Sequence, residues 1–141
     1  MGLRIYTGGT FDLIHAGHIA FLRRCAELGS VTVSLNTDEF IQEYKGVAPI
    51  MSFYEREAVL SELRCVDAVV ANTGGADSTE AIEQVAPDLI VVGSDWARRD
   101  YYKQMNFDQD WLDARDIGLL YIPYTEGIST TDIKKRVVGK R

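Results

Sequence analysis

Short apolar and β-branched segments alternate along this 141-residue chain with segments of helical spacing. The pattern predicts strands at 3–7, 31–35, 68–71, 88–92 and 119–122, and helices at 19–28, 38–44, 52–64, 78–85, 110–117 and 129–137. This alternation indicates an α/β fold, because parallel strands need crossover connections that usually contain a helix. The length suits a single domain, 1–141, with a sizeable core. A mobile loop is predicted at 45–51, whereas 94–109 shows no clear pattern.

The first predicted strand ends in a turn that concentrates chemically useful residues. Gly8-Gly9-Thr10-Phe11-Asp12 is followed closely by His15 and His18. Backbone N–H groups at a strand-to-helix turn bind phosphates, and glycines let the backbone approach a ligand closely. A helix that begins here would place the two histidines on one side. One capping and one surface histidine is the plainer alternative; a metal site is another, although two ligands without a cysteine are too few. We interpret the turn as a phosphate site.

Four motifs resemble those of cytidylyltransferases in the nucleotidyltransferase superfamily. Gly9-Thr10-Phe11-Asp12 and His15-Ala16-Gly17-His18 resemble the GTFD and HxGH motifs, and 125–131 (TEGISTT) resembles the late RTEGISTT motif. Gly93-Ser94-Asp95-Trp96 is similar to the GDDW segment. The likeness is closest to glycerol-3-phosphate cytidylyltransferases and spans nearly the whole chain. It implies a Rossmann-like five-stranded parallel sheet in the order 3-2-1-4-5, with helices on both faces.

The resemblance also implies a reaction. A nucleotidyl group would pass from CTP to a phosphorylated small alcohol, with glycerol 3-phosphate favoured, and pyrophosphate would leave. Mg²⁺ is the expected cofactor, bound mainly through the triphosphate, and a homodimer is the expected assembly. Two alternatives stay open: an adenylyltransferase that uses ATP on a sugar phosphate or cofactor precursor, and a non-catalytic nucleotide-binding domain.

The motifs and the resemblance assign candidate site residues to three groups. The catalytic group is His15, His18, Lys45 and Arg64. The nucleotide-binding group is Gly8, Gly9, Thr10, Phe11, His18, Asp95, Trp96, Gly127, Ser129 and Thr130. The acceptor-binding group is Asp12, Lys45, Arg56, Arg64, Arg98 and Tyr124.

The basic residues among these candidates also have plainer interpretations. Arg56 and Arg64 are eight apart in one predicted helix, so they would share a face, but each alone would be an ordinary surface charge. Lys45, beside a glycine in the predicted loop, could close over the site as a lid.

The remaining candidates are open in the same way. Asp12 could serve Mg²⁺, contact the acceptor or cap the first helix. Ser129 and Thr130 alone would be a common helix cap, and Asp95 with Trp96 could be a turn and a core residue.

Two features depart from the cytidylyltransferase pattern. Tyr124 stands where the late motif has arginine, and the segment 97–103 is longer and more aromatic than in the family. We expect a cation of that segment, with Arg98 favoured, to replace the missing charge; a subunit interface is the alternative use of the segment.

Composition excludes several broad classes of function. The net charge of −6 argues against general nucleic-acid binding. No apolar run approaches the roughly 20 residues of a membrane span, and no signal peptide is evident. Cys25 and Cys65 have neither zinc-like nor redox-motif spacing. We therefore expect a cytoplasmic protein with reduced thiols.

Overall fold

The described strands form one parallel sheet. The computed structural model describes residues 2–94, 101–124 and 127–139, with strands β1 (Leu3–Gly9), β2 (Gly29–Asn36), β3 (Ala68–Asn72), β4 (Leu89–Gly93) and β5 (Gly118–Ile122). They pair in the order β3-β2-β1-β4-β5, and every pair is parallel. The predicted fold class and strand order are confirmed. Because the order reverses between β1 and β4, the connections that follow these two strands diverge and open a crevice at their carboxyl ends.

Helices cover both faces of this sheet. They are α1 (Ala16–Leu28), α2 (Asp38–Lys45), α3 (Phe53–Ser61), α4 (Thr79–Val85), α5 (Tyr101–Met105), α6 (Gln109–Asp113) and α7 (Thr130–Gly139). Neighbouring strand residues enter different cores: Ile5 packs in one cluster with Leu22 and Leu60, and Tyr6 packs in the other with Ile82. This follows from the two-residue period of a strand. Within the described ranges, no helix combines the length and apolar character that crossing a membrane requires.

The end of α2 differs from the prediction. Lys45 is the last residue of the helix rather than part of the following loop. The helix stops at Gly46, whose φ of 78° lies in the left-handed region and whose N–H bonds to the carbonyl of Gln42 at 2.9 Å. Lys45 is therefore attached to a regular element at the edge of the predicted loop.

The end of α3 also differs from the prediction. The helix ends at Ser61, and the N–H groups of the next two residues bond to carbonyls three residues back, which tightens the final turn. The chain then brings Val66 into the core. Arg64 lies beyond the helix with an exposed side chain. The prediction that Arg56 and Arg64 share one helical face is wrong.

The stretch without a clear sequence pattern contains α5 and the start of α6. Tyr101 and Phe107 are buried in the second core, with their rings packed edge to face at 5.8 Å. α6 ends at residue 113 rather than 117, because the N–H of Ile117 bonds back to the carbonyl of Leu112 at 3.0 Å and Ile117 is buried. Tertiary packing of aromatic residues therefore organises this segment.

Candidate active site

A cavity of about 630 Å³ opens at the carboxyl ends of β1, β2, β3 and β4. Residues of α2 and α5 and the N-terminal ends of α1 and α7 border it. The predicted site residues that line it are Gly8, Gly9, Thr10, Phe11, Asp12, His15, His18, Lys45, Tyr124, Ser129 and Thr130. The fold thus brings the turn after β1 and the start of α7 together at the crevice where open α/β sheets bind their ligands.

Several predicted site residues are not placed in this cavity. Arg56, Arg64 and Gly127 are described by the structure but do not line it. Arg64 is exposed beyond α3, so the structure does not bring this side chain to the site. Asp95, Trp96 and Arg98 lie outside the described residues, and their roles stay predictions.

His15 and His18 cap α1 together. His15 is the N-cap, and its Nδ1 accepts from the N–H of Gly17 at 3.0 Å. The Nδ1 of His18 accepts from the N–H of His15 at 3.1 Å, and the two ring centroids are 3.8 Å apart. Because each Nδ1 accepts, the proton of each neutral ring lies on Nε2, which can donate to a ligand. Capping and ligand binding therefore use opposite sides of the same rings.

Both histidines are neutral near pH 7. Burial, the largest cause, and the proximity of His15 together lower the pKa of His18 to about 4, and Asp12 opposes the shift. Burial also lowers the pKa of His15, and Arg136 adds to this effect. A bound polyphosphate would act in the opposite direction, because an anion favours the charged imidazole. The two neutral rings are therefore hydrogen-bond donors toward a ligand, and a bound phosphate would raise their pKa values.

The start of α7 faces the same turn. Ser129 Oγ accepts from the N–H of Asp132 at 3.0 Å, and the hydroxyl of Thr130 donates to the carbonyl of Asp12 at 2.8 Å. The first N–H groups of a helix have no partner within it, and they carry its positive partial charge. Lys134, one turn further along α7, also lines the cavity. This end of the cavity suits a polyphosphate.

Asp12 anchors the segment between α2 and α3. Its buried carboxylate accepts from the N–H groups of Ile50 at 2.8 Å and Met51 at 2.9 Å, and Lys134 Nζ lies 3.9 Å away. The suggested cap of the first helix is wrong for Asp12, since His15 has that position. The segment predicted as a mobile loop is thereby held at its C-terminal end. In the described parts of the chain, no group of three or more His, Cys, Asp or Glu side chains could hold a metal ion.

Arg56 is fully buried and connects four parts of the site. Its Nε donates to the carbonyl of Met51 at 3.0 Å, and its Nη1 donates to the carbonyls of Thr10 at 2.8 Å and Asn36 at 2.9 Å. Its Nη2 pairs with the carboxylate of Asp38 at 2.7 Å. The guanidinium therefore braces the first turn and does not line the cavity, so the structure lends no support to the predicted contact between Arg56 and the acceptor.

The α2 wall of the cavity carries one predicted cation beside two aromatic rings. Lys45 lines the cavity with an exposed side chain. Phe40 and Tyr44 also line it, and their rings stack at 5.9 Å with an angle of 20° between planes. The flexible stem of Lys45 lets its ammonium reach a ligand over this wall.

Tyr124 lies at the opposite wall, at the end of β5. Its ring packs directly over Gly93, where a Cβ would overlap it, and stands 5.9 Å from the ring of Phe21. The absence of a side chain at Gly93 is therefore what admits the tyrosine. Tyr124 is 52% exposed, so part of the ring still faces the cavity.

Several lining residues escaped the sequence analysis. Lys134 carried a usable signal, because it follows Thr130 by four positions on a predicted helix and so lies on the same side. Asn36 and Asn72 carried another signal, because each directly follows a predicted strand. In the structure the two residues pair across β2 and β3. Gln104 had no signal, because α5 was not predicted.

Comparison with known proteins agrees with this architecture. The cytidylyltransferase-like family matches residues 6–136. A glycerol-3-phosphate cytidylyltransferase of Staphylococcus aureus is 36% identical over 138 residues, which cover 97% of this chain and 96% of that protein. An FAD synthase of Thermococcus sibiricus is 35% identical over 142 residues, which cover 96% and 93%. The crystal structure of a lipopolysaccharide core biosynthesis protein from Thermoplasma volcanium superposes with a TM-score of 0.70 at 26% identity, covering 89% of this chain and 100% of that one.

The family match runs from β1 into α7 and so includes both helix N-termini that border the cavity. The paired histidines and the α7 hydroxyls lie within it. The chain therefore belongs to the cytidylyltransferase-like family and is a nucleotidyltransferase.

Proposed function

We propose that this enzyme transfers a cytidylyl group from CTP to a phosphorylated small alcohol, with glycerol 3-phosphate as the leading acceptor. The observation that carries the proposal is that two helix N-termini meet in one cavity, one bearing the neutral His15–His18 pair and the other bearing Ser129 and Thr130. The relation to a glycerol-3-phosphate cytidylyltransferase over nearly the whole chain supports the choice of substrates.

The reaction needs positioning and charge stabilisation more than covalent help. An oxygen of the acceptor phosphate attacks the α-phosphorus of CTP, the bond to the bridging oxygen breaks, and pyrophosphate leaves with the electron pair. Negative charge grows on the oxygens around the α-phosphorus and on the leaving group. The Nε2–H groups of His15 and His18 would donate to these oxygens, and preorganised donors of this kind stabilise a transition state strongly.

The cations of the cavity divide between the two substrates in this proposal. Lys134 lies beside the N-terminus of α7, so it would bind the β- and γ-phosphates together with Ser129 and Thr130. Lys45 lies on the α2 wall and would bind the acceptor phosphate. Arg98 and Tyr124 keep their predicted acceptor roles, and Asp95 and Trp96 keep theirs toward the nucleotide.

We also propose that Mg²⁺ arrives on the triphosphate. The carboxylate of Asp12 accepts two backbone N–H groups and lies 3.9 Å from Lys134 Nζ, so its charge is partly compensated without a metal ion. Mg²⁺ commonly keeps several waters and binds through substrate phosphates. When bound, the ion would neutralise charge on the pyrophosphate that leaves.

A pyrophosphate-release screen tests the proposal. Four nucleoside triphosphates are combined with glycerol 3-phosphate, other phosphorylated alcohols, sugar phosphates and flavin mononucleotide, with and without EDTA. We expect release with CTP and a phosphorylated alcohol, and loss of release with EDTA. Turnover confined to ATP would overturn the choice of CTP, and no turnover with any pair would overturn the acceptor class.

Variants of the histidines test the catalytic assignment. Removing one oxyanion-type donor costs roughly 2–4 kcal/mol, so His15→Ala and His18→Ala should each lower kcat by about 30- to 1,000-fold. His15→Asn is the matched variant, because asparagine also caps helices but has no donor in the place of Nε2. It should melt like the parent protein and still lose activity. Near-normal kcat in His15→Asn would remove that histidine from the mechanism.

An adenylyltransferase is the second candidate function. The FAD synthase of Thermococcus sibiricus is almost as similar to this chain as the cytidylyltransferase, and the match covers almost as much of its length. FAD contains an adenylyl group joined to flavin mononucleotide, so ATP with that acceptor is the discriminating pair in the screen.

We further propose a cytoplasmic homodimer. Cys25 is a buried free thiol whose pKa burial raises to about 12, and Cys65 is a half-buried free thiol beside the same core. Inert reduced thiols suit a reducing compartment. Light scattering on the purified protein tests the dimer, and a monomeric mass would contradict it.

A further inference from the structure

A chain of side-chain hydrogen bonds runs from β3 to the first turn. Nδ2 of Asn72 donates to the carbonyl of Gly75 at 3.0 Å and to Oδ1 of Asn36 at 3.1 Å. Nδ2 of Asn36 donates in turn to Oγ1 of Thr10 at 3.2 Å. All four residues line the cavity. The chain of bonds therefore ends beside the predicted phosphate site.

The backbone carbonyl of Gly75 determines the direction of these hydrogen bonds. The carbonyl of Gly75 can only accept, so the amide nitrogen of Asn72 must face it. That nitrogen also faces Asn36, whose oxygen must then accept and whose nitrogen must point to Thr10. The oxygen of Thr10 is thus an acceptor in this bond. Among the described residues, no hydrogen bond uses the Thr10 hydroxyl as a donor, so its proton is left for a ligand.

The arrangement is costly for stability alone. Asn72 is only 4% exposed, and its Oδ1 is buried with no hydrogen-bond partner in the described structure. Burial of an unpaired amide oxygen is unfavourable, and an apolar residue at the end of β3 would avoid that cost. A buried polar side chain that is incompletely paired calls for an explanation other than stability, and the orientation of Asn36 supplies one.

The backbone of the first turn is held as firmly as the Thr10 side chain. The carbonyl of Thr10 accepts from the buried guanidinium of Arg56 at 2.8 Å. Phe11, the next residue, has a φ of 52°, a left-handed conformation that a phenylalanine adopts only under constraint. The hydroxyl therefore projects from a rigid base, as a group used for positioning requires.

We propose that Asn36 and Asn72 are positioning residues that aim the Thr10 hydroxyl at a phosphate oxygen of the substrates. Thr10 contacts the ligand; the two asparagines act through it. The inference rests on the proposed function only in that the ligand carries a phosphate, and it holds for either nucleotide.

A double-mutant cycle tests the proposal, with kcat/KM for pyrophosphate release as the readout. Thr10→Val removes the hydroxyl at constant shape and should lower kcat/KM about 10- to 100-fold, the range of a hydrogen bond to a charged group. Thr10→Ser should retain most of the activity. Asn72→Ala should lower kcat/KM about 3- to 10-fold in the parent and by less than about two-fold when Thr10→Val is already present.

Independent effects would overturn the proposal. If Asn72→Ala lowers kcat/KM by the same factor with and without the Thr10 hydroxyl, Asn72 acts only on the structure. Asn36→Ala gives a second cycle with the same expectation, should Asn72→Ala fail to fold. Thr37→Val is the control, because the Thr37 hydroxyl caps α2 and lies outside the cavity. It should lower the melting temperature, and its effect on kcat/KM should be the same with and without the Thr10 hydroxyl.

The failure of the proposed function is distinguishable from the failure of this inference. If the parent releases no pyrophosphate with CTP or ATP, the proposed function fails. The same cycle is then measured by titration calorimetry, with CTP and inorganic phosphate as probes. Non-additive losses of affinity in Thr10→Val and Asn72→Ala would still support the positioning role of the asparagines. Additive losses, or no losses, with both probes would overturn it.

Discussion

Replacement of Arg56 by alanine separates a bracing role from a substrate-binding role. The guanidinium is 0% exposed and makes four hydrogen bonds of 2.7 to 3.0 Å, one of them to the carboxylate of Asp38. Its loss would leave three backbone carbonyls and one carboxylate without this partner. Breaking a buried ion pair from one side costs about 3–5 kcal/mol, and Asp38 is 38% exposed and can rehydrate. We therefore expect about 3 kcal/mol lower free energy of unfolding.

Urea denaturation followed by circular dichroism measures this change. For m-values of about 1–3 kcal/mol per molar, the expected loss moves the midpoint by roughly 1–3 M. Arg64→Ala is the matched control, because that arginine was predicted on the same helical face but is exposed beyond α3. Its effect on the free energy of unfolding should stay within about 0.5 kcal/mol.

Arg56→Lys sharpens the test. Lysine keeps the positive charge but cannot reproduce the planar fork that serves four acceptors, so most of the stability should still be lost. A role in binding the acceptor phosphate predicts the reverse, with activity largely rescued by the retained charge. The bracing role would be refuted if Arg56→Ala unfolded at the parent's urea concentration while the KM for the acceptor rose.

Three further predictions concern the cavity. The pKa of His18 is about 4 in the folded protein and about 6.5 in the unfolded chain, so the unfolded chain binds a proton first as the pH falls. Lowering the pH from 7 to 4 should therefore reduce the free energy of unfolding by about 2 kcal/mol, after allowance for the partial exposure of the side chain. His18→Gln should flatten this part of a profile of urea stability against pH. An unchanged profile in His18→Gln would contradict this pKa. Lys134→Ala should raise the KM for CTP about ten-fold, whereas Lys135→Ala, an exposed neighbour, should leave it unchanged; equal effects would remove Lys134 from the phosphate site. Trypsin cleavage after Lys45 should slow when CTP and glycerol 3-phosphate are added, because the ligands would order the exposed residues that follow; equal cleavage rates would count against a lid.

Local sequence signals indicated those features that depend only on neighbouring residues, such as helix caps. Ser52 and Glu55 have the sequence spacing of a capping box, and both of its hydrogen bonds are present at the start of α3. The helix predicted at 38–44 is preceded by Thr37, a residue type that favours helix caps, and Thr37 forms the cap of α2. These features involve neighbours within three or four residues, so propensity and spacing describe them well.

Helix ends were less predictable, because packing decides them. Nothing in the local sequence between Ser61 and Arg64 forbids another helical turn. The helix ends because the chain must bring Val66 into the core ahead of β3, and Arg64 is left exposed beyond the helix. The helix was predicted one turn too long, and the structure does not bring the Arg64 side chain to the lining of the cavity.

The alternating strands and helices, the histidine-bearing turn and the hydroxyls at the start of α7 could be predicted, since each is a property of contiguous residues. The side chains that meet in the cavity could not, because they are brought together by tertiary packing. Thr130 reaches the carbonyl of Asp12 across 118 positions, and Arg56 reaches that of Thr10 across 46. Such contacts depend on which strands pair and which faces are buried. Burial also lowers the pKa of His18, and it makes Arg56 an internal hydrogen-bond donor rather than a surface charge. Neither the desolvation of a side chain nor its distant partners can be read from the residues beside it.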